Sequence, residues 1–139
     1  MKSKYTPLVK LKKKELDRVE RDLIAANNRI KLATKLCEEA YMLLQSLSLP
    51  TSGSISEFTQ AQMLFQAQHQ EIENCNLNLA KAQHYQLLIQ QQFKEAMIEY
   101  EKFKYLEMQE LQAHSAKIKK EEAKMLDEIG VMTHKREPL

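Results

Sequence analysis

Val9, Leu16, Leu23, Ile30, Cys37 and Leu44 recur every seven residues through the first third of the chain, with Lys12, Val19, Ala26, Ala33, Ala40 and Leu47 three places behind them. Apolar residues at the first and fourth places of a heptad make a stripe so narrow that only another helix covers it. The first segment therefore calls for a helical partner. A pair of long helices has no cleft that excludes water around a substrate, so the repeat already points away from catalysis.

The remaining sequence supplies that partner. Leu49-Pro50-Thr51-Ser52-Gly53-Ser54 gathers one of three prolines and one of two glycines, the residues that end helices. Ser54 precedes Glu57 by three places, the capping-box spacing that opens a new helix. Beyond it the repeat resumes at Phe58, Phe65, Ile72 and Leu79, with Ala61, Gln68, Cys75 and Ala82 beside them, and runs on through Ile89, Phe93, Ala96, Tyr100 and Phe103. A short connection between two such helices makes an antiparallel hairpin. The expected fold is all-α: a long antiparallel two-helix coiled-coil hairpin with a C-terminal helical overhang. It forms a single domain over residues 1–139, with helix 1 over about 7–48, a loop at 49–54, helix 2 over about 55–131 and a flexible tail at 132–139.

Setting Leu47 opposite Ile55 places Leu8 opposite Lys94 and leaves everything beyond about Met97 unpaired. The unpaired part carries Tyr100, Phe103, Leu106, Met108 and Leu111, then Ile118, Met125 and Met132. Its apolar stripe is expected to shift register between Phe103 and Leu111 and to serve as a partner surface.

Composition fits a pair of helices, with no tryptophan and few turn residues. No run approaches a membrane span and no secretory signal opens the chain, so a cytoplasmic protein without direct membrane insertion is expected. Cys37 and Cys75 both fall on repeat positions, where a reduced thiol acts as a small buried hydrophobe. Net charge is only +2, yet Lys2, Lys4, Lys10, Lys12, Lys13 and Lys14 precede the first acid, Glu15. Lys117, Lys119, Lys120, Lys124, Lys135 and Arg136 crowd the other end. Both termini lie toward one pole of a hairpin, and a cationic pole steers toward an acidic partner. Stacking platforms and a groove-fitting basic helix are missing, so nucleic acid is not an expected partner.

The chemistry of catalysis and cofactors is absent as well. His69, His84, His114 and His134 are too far apart to place two ligands on one helical face. Two isolated glycines cannot build a phosphate-binding loop. Glu38-Glu39 and Glu121-Glu122 are adjacent pairs that point in different directions around a helix. Neither an enzyme nor a bound cofactor or metal is expected.

Three segments carry a resemblance. Lys4-Tyr5-Thr6-Pro7-Leu8-Val9-Lys10-Leu11-Lys12, Glu99-Tyr100-Glu101-Lys102-Phe103-Lys104-Tyr105-Leu106-Glu107 and Lys124-Met125-Leu126-Asp127-Glu128-Ile129 resemble FliJ, a component of the bacterial flagellar type III protein-export apparatus. The likeness spans nearly the whole chain and departs from the family's pattern at Gly130, where alanine is expected. It implies a stalk similar to the gamma subunit of rotary ATP synthases, which inserts in and activates the hexameric flagellar export ATPase. It also implies contact with the export gate protein FlhA and with export chaperones, and a place beside the export apparatus at the inner membrane. Carried onto this sequence, the ATPase-ring residues are Lys10, Lys13, Lys14, Phe103, Tyr105 and Leu106. The export-gate residues are Tyr41, Leu44, Phe65, His69 and Ile72. The alternative is a generic coiled-coil scaffold that self-associates through the overhang.

Overall fold

The computed structural model describes residues 3–136, with side chains described through residue 133. Lys2, residues 137–139 of the expected tail, and the side chains of His134, Lys135 and Arg136 lie outside the described residues. Two helices account for the structure, α1 (Thr6–Ser46) and α2 (Ile55–Arg136), and the fold is all-α.

Local chemistry sets the helix ends. Ser3 Oγ accepts the Tyr5 amide at 3.1 Å and Ser3 O accepts the Thr6 amide at 3.2 Å, which satisfies donors at the start of α1. Pro7 falls in the first turn, where its missing N–H costs nothing. At the other end the Leu47 amide turns back to Leu44 O at 3.1 Å, and Ser46 Oγ donates to Leu43 O at 2.6 Å. Gly53 then takes φ of 147°, and a Cβ there would run into the Glu57 carboxylate. Ser54 Oγ accepts the Glu57 amide at 3.2 Å, the hydroxyl arm of the capping box that opens α2. Gly130 is helical and surrounded by open space, so α2 passes through it.

The chain divides into two compact units, one made of Met1–Leu16 with Ala96–Leu139, the other of Asp17–Glu95. In the Asp17–Glu95 unit the helices run antiparallel: Ala40 meets Gln68, Leu36 meets Cys75 and Asn27 meets Gln86. Val19, Ala26, Cys37 and Ala40 of α1 are buried against Ile72, Ala82 and Ile89 of α2. Each fully buried Ile or Val contributes about 1.5–3 kcal/mol relative to exposure. Gln68 is buried too, and its Nε2 donates to the Ala40 carbonyl at 2.7 Å, which offsets the cost of desolvating an amide.

In the Met1–Leu16 and Ala96–Leu139 unit, Leu16 is buried and the α1 stretch again runs antiparallel to α2. Tyr5 packs on Phe103 with ring centroids 6.4 Å apart, and Lys12 meets Glu99 at 3.9 Å. These contacts correct the expected alignment, which set Tyr5 opposite Met97. Throughout, α1 faces residues about two helical turns farther along α2 than expected. Pairing therefore extends to Glu110, and the stretch without a partner begins near Leu111 instead of Ile98. The protected stripe keeps its spacing through Phe103, Leu106 and Glu110, whereas Met108 and Leu111 face out at 48% and 38% exposure.

Candidate partner-binding site

Lys12 is the one charged residue in the α1 repeat, and its surroundings explain it. The side chain is half-buried, with Nζ 3.6 Å from Glu15, 3.9 Å from Glu99 and 5.8 Å from the centroid of the Phe103 ring. Its aliphatic stem covers the repeat while its ammonium reaches two carboxylates at the edge. Around it lies a lysine and aromatic cluster. Lys102 also sits over Phe103, at 5.6 Å. Lys13 and Lys104 sit over Tyr100 at 5.5 and 5.6 Å, and Lys4 sits over Tyr5 at 5.2 Å. Each exposed cation–π contact is worth about 0.5–1 kcal/mol, so the cluster orders long lysine side chains without neutralising them.

The N-terminus of α1 is completed from α2. Its first turn holds no acidic residue, and Glu110 Oε1 accepts the Lys4 amide at 3.3 Å. A carboxylate suits the positive end of the helix dipole. The other carboxylate oxygen, Oε2, is buried and has no hydrogen-bond partner among the described residues.

The six residues expected at the ATPase ring fall into two groups. Lys10, Lys13, Lys14 and Tyr105 are exposed, and the Tyr105 hydroxyl accepts a hydrogen bond from Gln109 Nε2 at 2.7 Å. Phe103 and Leu106 are half-buried on the face of α2 that meets α1. An open apolar face runs along α2 beside Tyr105, formed by Met108 and Leu111 between Glu101, Lys104 and Ser115. Farther on, the exposed lysines Lys117, Lys119, Lys120 and Lys124 are interspersed with Glu121, Glu122, Asp127 and Glu128, so among the described residues the run of positive charge least offset by acids is at the start of α1.

The residues expected at the export gate lie in the Asp17–Glu95 unit. Tyr41 is exposed and its hydroxyl accepts from Asn76 Nδ2 at 3.3 Å. His69 is exposed, Leu44 and Phe65 are half-buried, and Ile72 is buried at 6% exposure. Tyr41 follows Cys37 by four places, so it flanks the repeat on the side opposite Leu36 and Leu43. That opposite side carries an apolar groove the sequence reading missed, lined by Leu36, Leu43, Ala40 and Cys75 and edged by Glu39 and Glu71. Leu36 and Leu43 recur at seven residues, a signal hidden because they flank the main repeat. Lys4, Tyr5, Lys12, Tyr100 and Glu110 were likewise not expected as site residues. Only pairing across the two helices brings them together.

Among the described residues no group of three His, Cys, Asp or Glu side chains could hold a metal ion, and no helix is long and apolar enough to cross a membrane. Comparison with curated proteins and comparison with solved structures each find no match. The family described as Flagellar FliJ protein matches residues 1–139, the entire sequence, including the two segments that form the lysine and aromatic cluster. A helical hairpin agrees with the match, and the chain belongs to the FliJ family, components of flagellar protein export.

Proposed function

We propose that this chain is the stalk of the export apparatus, inserting its Met1–Leu16 and Ala96–Leu139 unit into the hexameric export ATPase and raising its turnover. The observation that carries this reading is the cluster of lysines held over Tyr5, Tyr100 and Phe103. Lys10, Lys14 and Tyr105 are the exposed contacts, steered toward acidic ring loops by long-range attraction. Phe103 and Leu106 hold that face in place from beneath. The chain supplies no catalytic group and acts as a ligand that favours some ring conformations over others. In the same reading the face bearing Tyr41 and His69, with Leu44 and Phe65 at its edge, meets the gate protein FlhA. Ile72 supports that face by packing, and export chaperones bind the assembled stalk at the periphery of the inner membrane.

The test is ATP turnover by purified export ATPase titrated with the full chain. Turnover should rise to saturation, and Tyr105→Asp should shift the curve to higher concentration with helicity unchanged. Saturating protein that leaves turnover unaltered removes the activation claim.

One observation favours a second reading, a self-associating scaffold. Leu111, Ile118, Met125, Ile129 and Met132 form an exposed stripe on the unpaired part of α2. Sedimentation across a range of concentrations separates the two, since a scaffold dimerises and a stalk stays monomeric.

A further inference from the structure

The chain has two cysteines, thirty-eight places apart in sequence, and folding sets them against each other. Cys37 of α1 is buried at 6% exposure, and Cys75 of α2 is half-buried. Cys75 Sγ lies 3.9 Å from the carbonyl oxygen of Leu36, the residue before Cys37. Ala33 and Ala40 bracket Cys37 along the repeat, and small side chains let two helix backbones approach closely. The thiols also sense each other. The pKa of Cys75 is raised by burial, by the nearby Glu71 carboxylate and by charge and hydrogen-bond interaction with Cys37. Cys75 borders the open groove beside Leu36 and Leu43, so a small reagent reaches it from solvent, whereas Cys37 is buried and does not line the groove.

We propose that Cys37 and Cys75 form an oxidation site, converted by small disulfides of the glutathione class into an intramolecular disulfide that staples α1 to α2 within the Asp17–Glu95 unit. The Cys75 thiolate attacks one sulfur of the small disulfide, forming a mixed disulfide and releasing one small thiolate. The Cys37 thiolate then attacks Cys75 Sγ, forms the protein disulfide and releases the second small thiolate. The protein loses two protons and two electrons, and both pass to the small disulfide, which leaves as two thiols. Burial and Glu71 keep the thiolate scarce at neutral pH, so closure is slow, and its extent is set by the disulfide-to-thiol ratio. This site is independent of the stalk proposal, because its readout needs neither the ATPase nor the gate.

The experiment incubates the folded full chain with oxidised glutathione and follows intact mass, then maps the product after cleavage at glutamate, since no Lys or Arg separates the two cysteines. The expected product is monomeric, lighter by two hydrogens, with Cys37 and Cys75 in one cross-linked fragment. Its melting temperature should rise on the order of 10 °C over the reduced protein, because the cross-link restricts the unfolded chain. Cys37→Ser should stop at the glutathione adduct on Cys75. A stable adduct on the wild-type chain, a disulfide between two chains, or a folded protein whose thiols never react while the urea-unfolded chain does, would each overturn the proposal.

Discussion

Glu110 of α2 accepts the backbone amide hydrogen of Lys4 at 3.3 Å, so the first turn of α1 is capped by a carboxylate from the other helix. The contact joins the opening of one helix to a point far along the second. It also fixes how far α2 runs before losing its partner.

Replacing Glu110 with Ala removes that cap and the charge that complements the helix dipole, a loss of about 0.5–2 kcal/mol. Hydrogen exchange should quicken at the amides of residues 4–9 while residues 19–40 keep their protection. Glu110→Gln retains an acceptor and should show a smaller effect. Unchanged exchange in both variants would mean the contact does not order the helix start.

Lys12 occupies a repeat position where Leu would normally stand, and its ion pairs are partly exposed. Such pairs contribute about 0–1 kcal/mol, so Lys12→Leu should leave the melting temperature unchanged or raise it slightly. If the lysine is kept for partner binding, the same variant should weaken ATPase activation. A Lys12→Leu protein that melts several degrees lower contradicts this account of the site.

Ile72 and His69 separate packing from contact. Ile72 is buried, so Ile72→Ala should cost about 2–5 kcal/mol, read as a lower denaturant midpoint. His69 is exposed and His69→Ala should stay within about 0.5 kcal/mol of wild type. Any loss of FlhA binding in His69→Ala then reports contact. Equal destabilisation by both changes would refute this division.

Gly53 sits at φ of 147° with the Glu57 carboxylate where a Cβ would go. Gly53→Ala should destabilise the connection by about 1–3 kcal/mol. Adding Glu57→Ala to it removes the collision and should recover part of that loss, leaving only the backbone strain. A double variant no more stable than Gly53→Ala would show that the strain alone sets the cost.

The residues proposed for the gate and the ring divide along the line that the repeat itself draws. Phe103, Leu106 and Ile72 fall on protected positions because they continue the apolar spacing, and Tyr41, His69 and Tyr105 fall off it and face out. That much was readable from residue order. The groove at Leu36, Leu43 and Cys75 was not, because its residues come from two helices and flank the repeat in each.

Residue order alone determined that there are two helices, where they break and which side of each is covered. Every repeat position of α1, from Val9 to Leu44, is buried or half-buried, since a 3.6-residue helix brings such positions to one side wherever its partner lies. Only the tertiary structure decided the alignment of one helix on the other. A seam that repeats every seven residues fits almost equally well after a slip of one heptad, so apolar spacing cannot choose between registers. The choice rests on contacts that do not repeat: Gln68 on the Ala40 carbonyl, Lys12 on Glu99, and Glu110 on the Lys4 amide. Those directional contacts, unlike burial, are lost on any slip, and they are what gathered the lysines, the aromatic rings and the two thiols into place.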